Sequence, residues 1–191
     1  MTARSLWTVG HSNHTLERFL ELLVTQEIEV LVDVRSAPYS RYSTHFNRGP
    51  LEKAIKTAGL QYLFLGRELG GRPSEEDAYD DEGHARYDVM AASAEFSDGL
   101  KRLARGVDAY RVAIMCSEED PTDCHRRLLV GKSLTDRGGY RLHHLRGDGR
   151  VDVEAAVELN DPQLNLLGET AVWRSTQSVS QRSRRDTSSG V

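Results

Sequence analysis

EVLVDV, residues 29–34, decides the fold: after Glu29 it is apolar and rich in valine, broken only by Asp33. A strand with one wet face alternates apolar and polar residues, whereas a strand covered on both faces does not. The run therefore predicts an interior strand of a parallel sheet. Similar short runs lie on either side: SLWTV (5–9), QYLFL (61–65), RVAIM (111–115) and YRLHHL (140–145). Between them the apolar spacing changes to that of helices. Thr15 reads as an N-cap ahead of Leu16, Phe19, Leu20 and Leu23. Pro50 to Ala58 ends at Gly59, Arg86 to Arg105 stops near Gly106, and Thr122 to Asp136 closes at Gly138 and Gly139. Strands alternating with helices predict an α/β domain of three layers around a mainly parallel sheet of about five strands.

The chain has 191 residues, enough for one domain. The domain is expected over residues 1–147, with an extension over 148–173 in which Asp152 to Trp173 reads as a helix plus an extended arm, docked on the body or on a second subunit. Residues 174–191, RSTQSVSQRSRRDTSSGV, are rich in serine and arginine and hold two valines as their only apolar residues, so a disordered tail is expected. Net charge is −4, but the tail carries four arginines against Asp186, which leaves −7 on the first 173 residues. Such a body is not a general polyanion binder, and any phosphate contact has to be local. No run approaches a membrane span, and the N-terminus shows no secretory leader. With two cysteines a disulfide scaffold is excluded, so the expected compartment is the cytoplasm.

In such a sheet, ligands sit beyond the carboxyl ends of the strands. Four strand ends are rich in polar groups. The first is Gly10-His11-Ser12-Asn13-His14. The second is Asp33-Val34-Arg35-Ser36, followed by Arg41; residues two apart share a face, so Asp33 and Arg35 can pair, and Arg35 and Arg41 suit an anion. The third is Gly66-Arg67-Glu68-Leu69-Gly70-Gly71-Arg72, where Gly70 and Gly71 allow a close backbone approach. The fourth holds both cysteines, Cys116 ending a strand and Cys124 opening a helix, with Glu118, Glu119, His125 and Arg126 beside them. A helix N-terminus and neighbouring cations favour a thiolate at Cys124.

Three chemistries fit this last segment. A thiolate could act as nucleophile, with His125 as base and Arg126 holding an anion. The two cysteines could form a reversible disulfide. Cys116, Cys124 and His125 could hold a metal, with a fourth ligand from His11, His45 or Asp33. The spacing Cys-x7-Cys-His lies outside the common zinc patterns, so no cofactor is predicted and the thiol reading leads.

The runs TVGHSN (8–13), LVDVRSAPYSR (31–41), YLFLGRELGGR (62–72) and AIMCSEEDPTDCHR (113–126), in this order, resemble the family of domain of unknown function 488 (DUF488). The likeness spans about Leu6 to Leu145. Its fingerprint falls on Gly10, His11, Ser12, Asp33, Arg35, Ser36, Pro38, Phe46, Leu69, Gly70, Gly71, Cys116, Glu118, Cys124, His125 and Arg126, and the stretch 163–167, QLNLL, is also similar. The resemblance implies the fold and the pocket and leaves the reaction open. A weaker likeness, the DVR strand followed by a strand ending in cysteine, is to rhodanese-like sulfurtransferases. Here Glu118, Glu119 and Asp120 follow the cysteine, and acids repel a bound anion.

The leading expectation is an enzyme acting on a small anionic substrate that contains phosphate or sulfur. Its reactive groups would be Cys116, Cys124, His125, Glu118 and His11. Its binding groups would be Ser12, Asp33, Arg35, Ser36, Arg41, Gly70, Gly71 and Arg126. The alternatives are a metalloenzyme and a non-catalytic module for a nucleotide or nucleic acid, stacking bases on Tyr39, Tyr42 or Phe46. No membrane partner is expected.

Overall fold

The computed structural model of the chain describes residues 3–154 and 172–180. Five parallel strands form at the expected places: β1 Arg4–Gly10, β2 Val30–Asp33, β3 Gln61–Phe64, β4 Val112–Cys116 and β5 Tyr140–Leu145. A sixth, β6 Val151–Val153, pairs antiparallel with β5, so the sheet order is β3-β2-β4-β1-β5-β6. Three residues are too few to show a period. The turn before β6 is legible only as Asp148-Gly149, where Gly149 takes φ +94°.

Each strand sends alternate residues to opposite faces. Val30, Val32, Val34, Val112 and Ile114 share one side with α3 (Gly66–Leu69), α4 (Tyr87–Ala92), α5 (Ala94–Ala109) and the helical segment Arg126–Gly131. Leu31, Ala113 and Met115 meet α1 (Leu16–Thr25) and α2 (Arg48–Thr57) on the other. This double coverage is what the unbroken apolar runs foretold. The Thr15 cap forms, its side chain accepting from the Arg18 amide at 3.2 Å.

Two helices differ from expectation. The helix expected from Arg86 to Arg105 is split at Ser93, whose hydroxyl caps α5 by accepting from the Phe96 amide at 3.1 Å. The helix expected from Thr122 begins only at Arg126, as a wide π-type turn that tightens into the short α6 (Lys132–Thr135). Pro121 to Asp123 form a separate 3₁₀ turn, because the Asp120 carboxylate caps it at the Thr122 amide, 2.8 Å away.

The C-terminal reading also changes. Residues 174–180, assigned to the tail from their composition, lie against the body. The Ser175 amide donates to Ala85 O and its hydroxyl accepts from the Ala85 amide, both at 2.9 Å, and Ser175 is buried. Trp173 anchors this contact by donating its indole N–H to Leu128 O at 2.7 Å. Edge pairing and one large aromatic side chain outweigh a polar composition here. The rest of the extension and tail, 155–171 and 181–191, lies outside the described residues.

Candidate metal centre

Cys116 is the last residue of β4 and shares the face of Val112 and Ile114, which is the face covered by the Arg126–Gly131 segment. Cys124 lies just ahead of that segment in extended backbone, and its carbonyl accepts from the Arg127 and Leu128 amides, each at 3.0 Å. Cys124 therefore precedes the helix instead of lying in its first turn, as expected from Thr122. Alternation in β4 and the start of the helix thus bring the two sulfurs together. Both are buried.

His125 turns into the same spot. Its Nε2 lies 2.9 Å from Val34 O, a group that only accepts, so Nε2 carries a proton and Nδ1 faces the sulfurs. Nδ1 is 3.5 Å from Cys116 Sγ and 3.9 Å from Cys124 Sγ. Glu118 completes the group: one of its oxygens is 2.8 Å from Cys116 Sγ and 3.2 Å from Cys124 Sγ. All four donor atoms lie within 4.8 Å of one another.

A tetrahedral zinc with bonds of about 2.3 Å to sulfur and about 2.0–2.1 Å to nitrogen or oxygen gives S···N and S···O edges of roughly 3.5–3.6 Å. The sulfur–nitrogen edges already match that span to a few tenths of an ångström. The carboxylate sits closer, and a shift of about half an ångström outward would complete the figure. An imidazole fixed through its far nitrogen by a backbone carbonyl is the usual outer-shell arrangement of a metal-bound histidine.

The electrostatics agree. Burial raises the Cys116 thiol well above the ordinary value, and Cys124 and Glu118 raise it further. Burial also opposes ionisation of Cys124. The hydrogen bond from Cys116, the Arg126 guanidinium and His125 nonetheless bring it well below the ordinary value. Burial lowers the pKa of His125, but the Cys124 thiolate and Glu118 more than offset this and raise it. Two thiols and a carboxyl thus converge on one imidazole, and a cation at their centre would take the place of the protons they hold back.

Backbone approach is tight around the cluster. A Cβ on Gly71 would lie 2.6 Å from His125 Cγ, and one on Gly10 would lie 1.9 Å from Glu118 O. The close approach expected at Gly70 and Gly71 is therefore made to a histidine ring and, at Gly70, to Ser36 Oγ.

The other expected site residues separate from this group. Asp33 alternates to the opposite face, with Leu31. It binds Arg35 through both oxygens, at 2.9 and 2.6 Å, and accepts from Tyr62 at 2.8 Å. Arg35 also donates to Phe46 O and to His11 Nε2, and the His11 ring stacks on Phe46. Arg126 is 1% exposed and donates to Glu118 O, Glu119 O and Thr8. Arg35 and Arg126, both expected to hold an anion, are buried and donate to internal acceptors. His11, His45 and Asp33, the residues expected to offer a fourth donor, do not lie in this group: His45 binds His14 O at 3.1 Å, and the fourth potential ligand atom beside the sulfurs and the imidazole is that of Glu118.

Ser12, at φ +46°, ties its amide to Ser117 O at 2.9 Å. Ser36 and Gly70 line a cleft of about 900 Å³ with Arg72, Tyr79, Met90 and Phe96. The cysteines and His125 do not line it. The next residue, Gly71, touches His125. Arg41 is on the surface. Sequence reasoning missed the Val34 carbonyl, which carries no residue-type signal. It also missed a buried chain in which Thr8 bonds His144, His144 bonds Glu154, and Glu154 bonds Arg127.

Residues 15–132 match the family model described as domain of unknown function DUF488. The chain belongs to the DUF488 family. No curated protein and no solved structure matches it. Within this family member the matched region contains the whole four-donor cluster and the Asp33–Arg35 pair. Among the described residues no helix is long and apolar enough to cross a membrane.

Proposed function

We propose that this DUF488 protein is a metal-dependent enzyme, with a zinc-type ion held by Cys116, Cys124, His125 and, in the resting state, Glu118. The observation that carries the reading is His125: Val34 O fixes its Nε2–H, which turns the Nδ1 lone pair onto two sulfurs and a carboxylate. The donor set of two thiolates, imidazole and carboxylate suits zinc over magnesium or calcium.

Two features favour a reactive centre over a structural one. The sheet is covered on both faces by apolar clusters, so the fold does not depend on a metal in place of a core. Three ligands are held in the interior, while the fourth is an exposed residue of the loop between the cysteines. A ligand of that kind can leave and open a position. A carboxylate or phosphate oxygen of a substrate is the natural replacement for the Glu118 oxygen, in keeping with an anionic substrate. The ion would supply polarisation of the oxygen it takes up. A free-thiol nucleophile fits less well, because Cys116 and Cys124 are only 4% and 1% exposed.

The test is metal loading of the purified chain with zinc or cobalt. About one ion per chain is expected. Cys124→Ser should weaken binding by more than the roughly 10–100-fold that loss of an outer-shell partner costs. Glu118→Gln should keep the ion, and acetate or phosphate should change the visible spectrum of the cobalt form. No stoichiometric metal, with both thiols alkylated equally fast with and without zinc, would overturn the reading. Loss of the ion in Glu118→Gln to the same extent as in Cys124→Ser would overturn the displaceable ligand.

A further inference from the structure

The surface next to this centre differs in character from the rest of the chain. Between Val34 and Ala58 stand Arg35, Arg41, Arg48, Lys53 and Lys56 against one acid, Glu52, although the chain is net −4. Arg35 is internal and Lys56 pairs with Glu52. Arg41, Arg48 and Lys53 are exposed, and among the described residues no carboxylate lies within ion-pair distance of them. The same loop presents Tyr39 at 73% and Tyr42 at 90% exposure, two of the most exposed large apolar side chains described. Arg41 lies over the Tyr42 ring at 5.9 Å, and Arg48 lies over the Phe64 ring at 4.3 Å.

The loop is braced. The Ser40 hydroxyl accepts from the Tyr42 and Ser43 amides at 3.1 Å, the Ser40 amide donates to Asn47 Oδ1 at 2.6 Å, and the Arg48 amide donates to Pro38 O at 3.1 Å. Two aromatic rings are thus held outward on a fixed turn, where an unbraced loop would fold them back to cover their apolar area. Phe46, the third ring expected to stack bases, is instead buried against His11.

We propose that Tyr39 and Tyr42, with Arg41 and Arg48, form a platform for single-stranded nucleic acid, the rings stacking on bases and the guanidinium groups meeting phosphates. Ring faces in water beside exposed guanidinium groups are what a stacked, phosphate-bearing strand requires; Glu52, whose nearest cation is Lys56, acts on Arg48 without a direct ion pair. An anionic membrane would share the charge, but it would favour a more apolar wedge than a turn that carries Ser40 and Ser43. Duplex nucleic acid would leave the rings without exposed bases to stack on. The platform does not rest on the metal reading.

The experiment is fluorescence anisotropy of a labelled single-stranded oligonucleotide with the full chain. The arms are a duplex of the same sequence and vesicles of anionic lipid. The double variant Tyr39→Ala/Tyr42→Ala should weaken binding of the single strand at least about tenfold. It should unfold at the same temperature as the parent, since both rings are in water. Arg41→Ala/Arg48→Ala should lower the slope of log affinity against log salt by about one to two. Replacing Arg182, Arg184 and Arg185 by alanine separates the tail from the platform and should leave the tyrosine dependence in place. Absence of single-strand binding, equal binding of duplex with no effect of the tyrosines, binding lost only with the tail arginines, or tyrosine-dependent binding to vesicles alone would overturn the proposal.

Discussion

Two buried, charged clusters sit at neighbouring strand ends, and they are built on opposite principles. In the Asp33–Arg35–His11 cluster every strong group meets a complementary one: carboxylate meets guanidinium, guanidinium meets carbonyl and imidazole, and imidazole stacks on Phe46. In the Cys116–Glu118–Cys124–His125 cluster all four groups turn the same kind of atom, an electron-pair donor, toward one point. In the first arrangement donors face acceptors. The second gathers four potential ligand atoms within 4.8 Å of one another. Burial and charge alone do not separate a structural cluster from a reactive one; the sign and direction of the groups do.

This contrast predicts that the two clusters fail in different ways. The largest effect should come from Asp33→Ala, which leaves Arg35 buried without its carboxylate. A loss of about 3–5 kcal/mol of stability is expected in urea unfolding. Cys124→Ser in the other cluster should cost far less stability and, on the proposed metal reading, abolish stoichiometric zinc binding. Similar destabilisation by the two variants would break the comparison.

A second effect belongs to His11. Burial, then the Arg35 guanidinium, hold its pKa down to about 4, against an ordinary value of 6.5. The unfolded chain therefore binds a proton below pH 6.5 that the folded chain refuses until about pH 4. Stability is fully present above pH 6.5 and falls as acid is added through that window, by up to about 3 kcal/mol. Denaturant midpoints measured from pH 7 to 4 should show this slope, and His11→Gln should flatten it.

The smallest effect sharpens the contrast most. Gly71→Ala would place a methyl group against the His125 ring. It should weaken metal binding by about 10–100-fold, through an imidazole turned off axis, and cost about 1–3 kcal/mol of stability as the ring is forced to shift. Metal affinity equal to the parent's would show that the ring is not held by this contact.

Much of this was legible in the chain. Four interior strands and one nearer the edge were marked by their apolar runs, because coverage on both faces removes alternation. β6 was not, since it is three residues long and carries no period. Cys116, Cys124 and His125 stood out as a group because they flank one strand-to-helix turn. Residue type did not separate Glu118 from Glu119; the family resemblance alone singled out Glu118. Only the folded loop shows that Glu119 turns away, to Arg146 at 2.7 Å and the Gly147 amide at 2.9 Å. The docking of Ser175 was hidden in a tail whose composition argued for disorder.

Sequence alone determined the layered α/β architecture, the strand ends where chemistry would gather and the nearness of the two cysteines along the chain. Those features follow from local periodicity and from residue type, which short windows contain. The tertiary structure alone decided which side of the sheet each group faces. It placed Asp33 with Leu31 and Cys116 with Ile114, and it made a carbonyl of β2's neighbour Val34 the anchor of His125. Pairing register and helix placement set those relations between distant segments, and no single segment carries them.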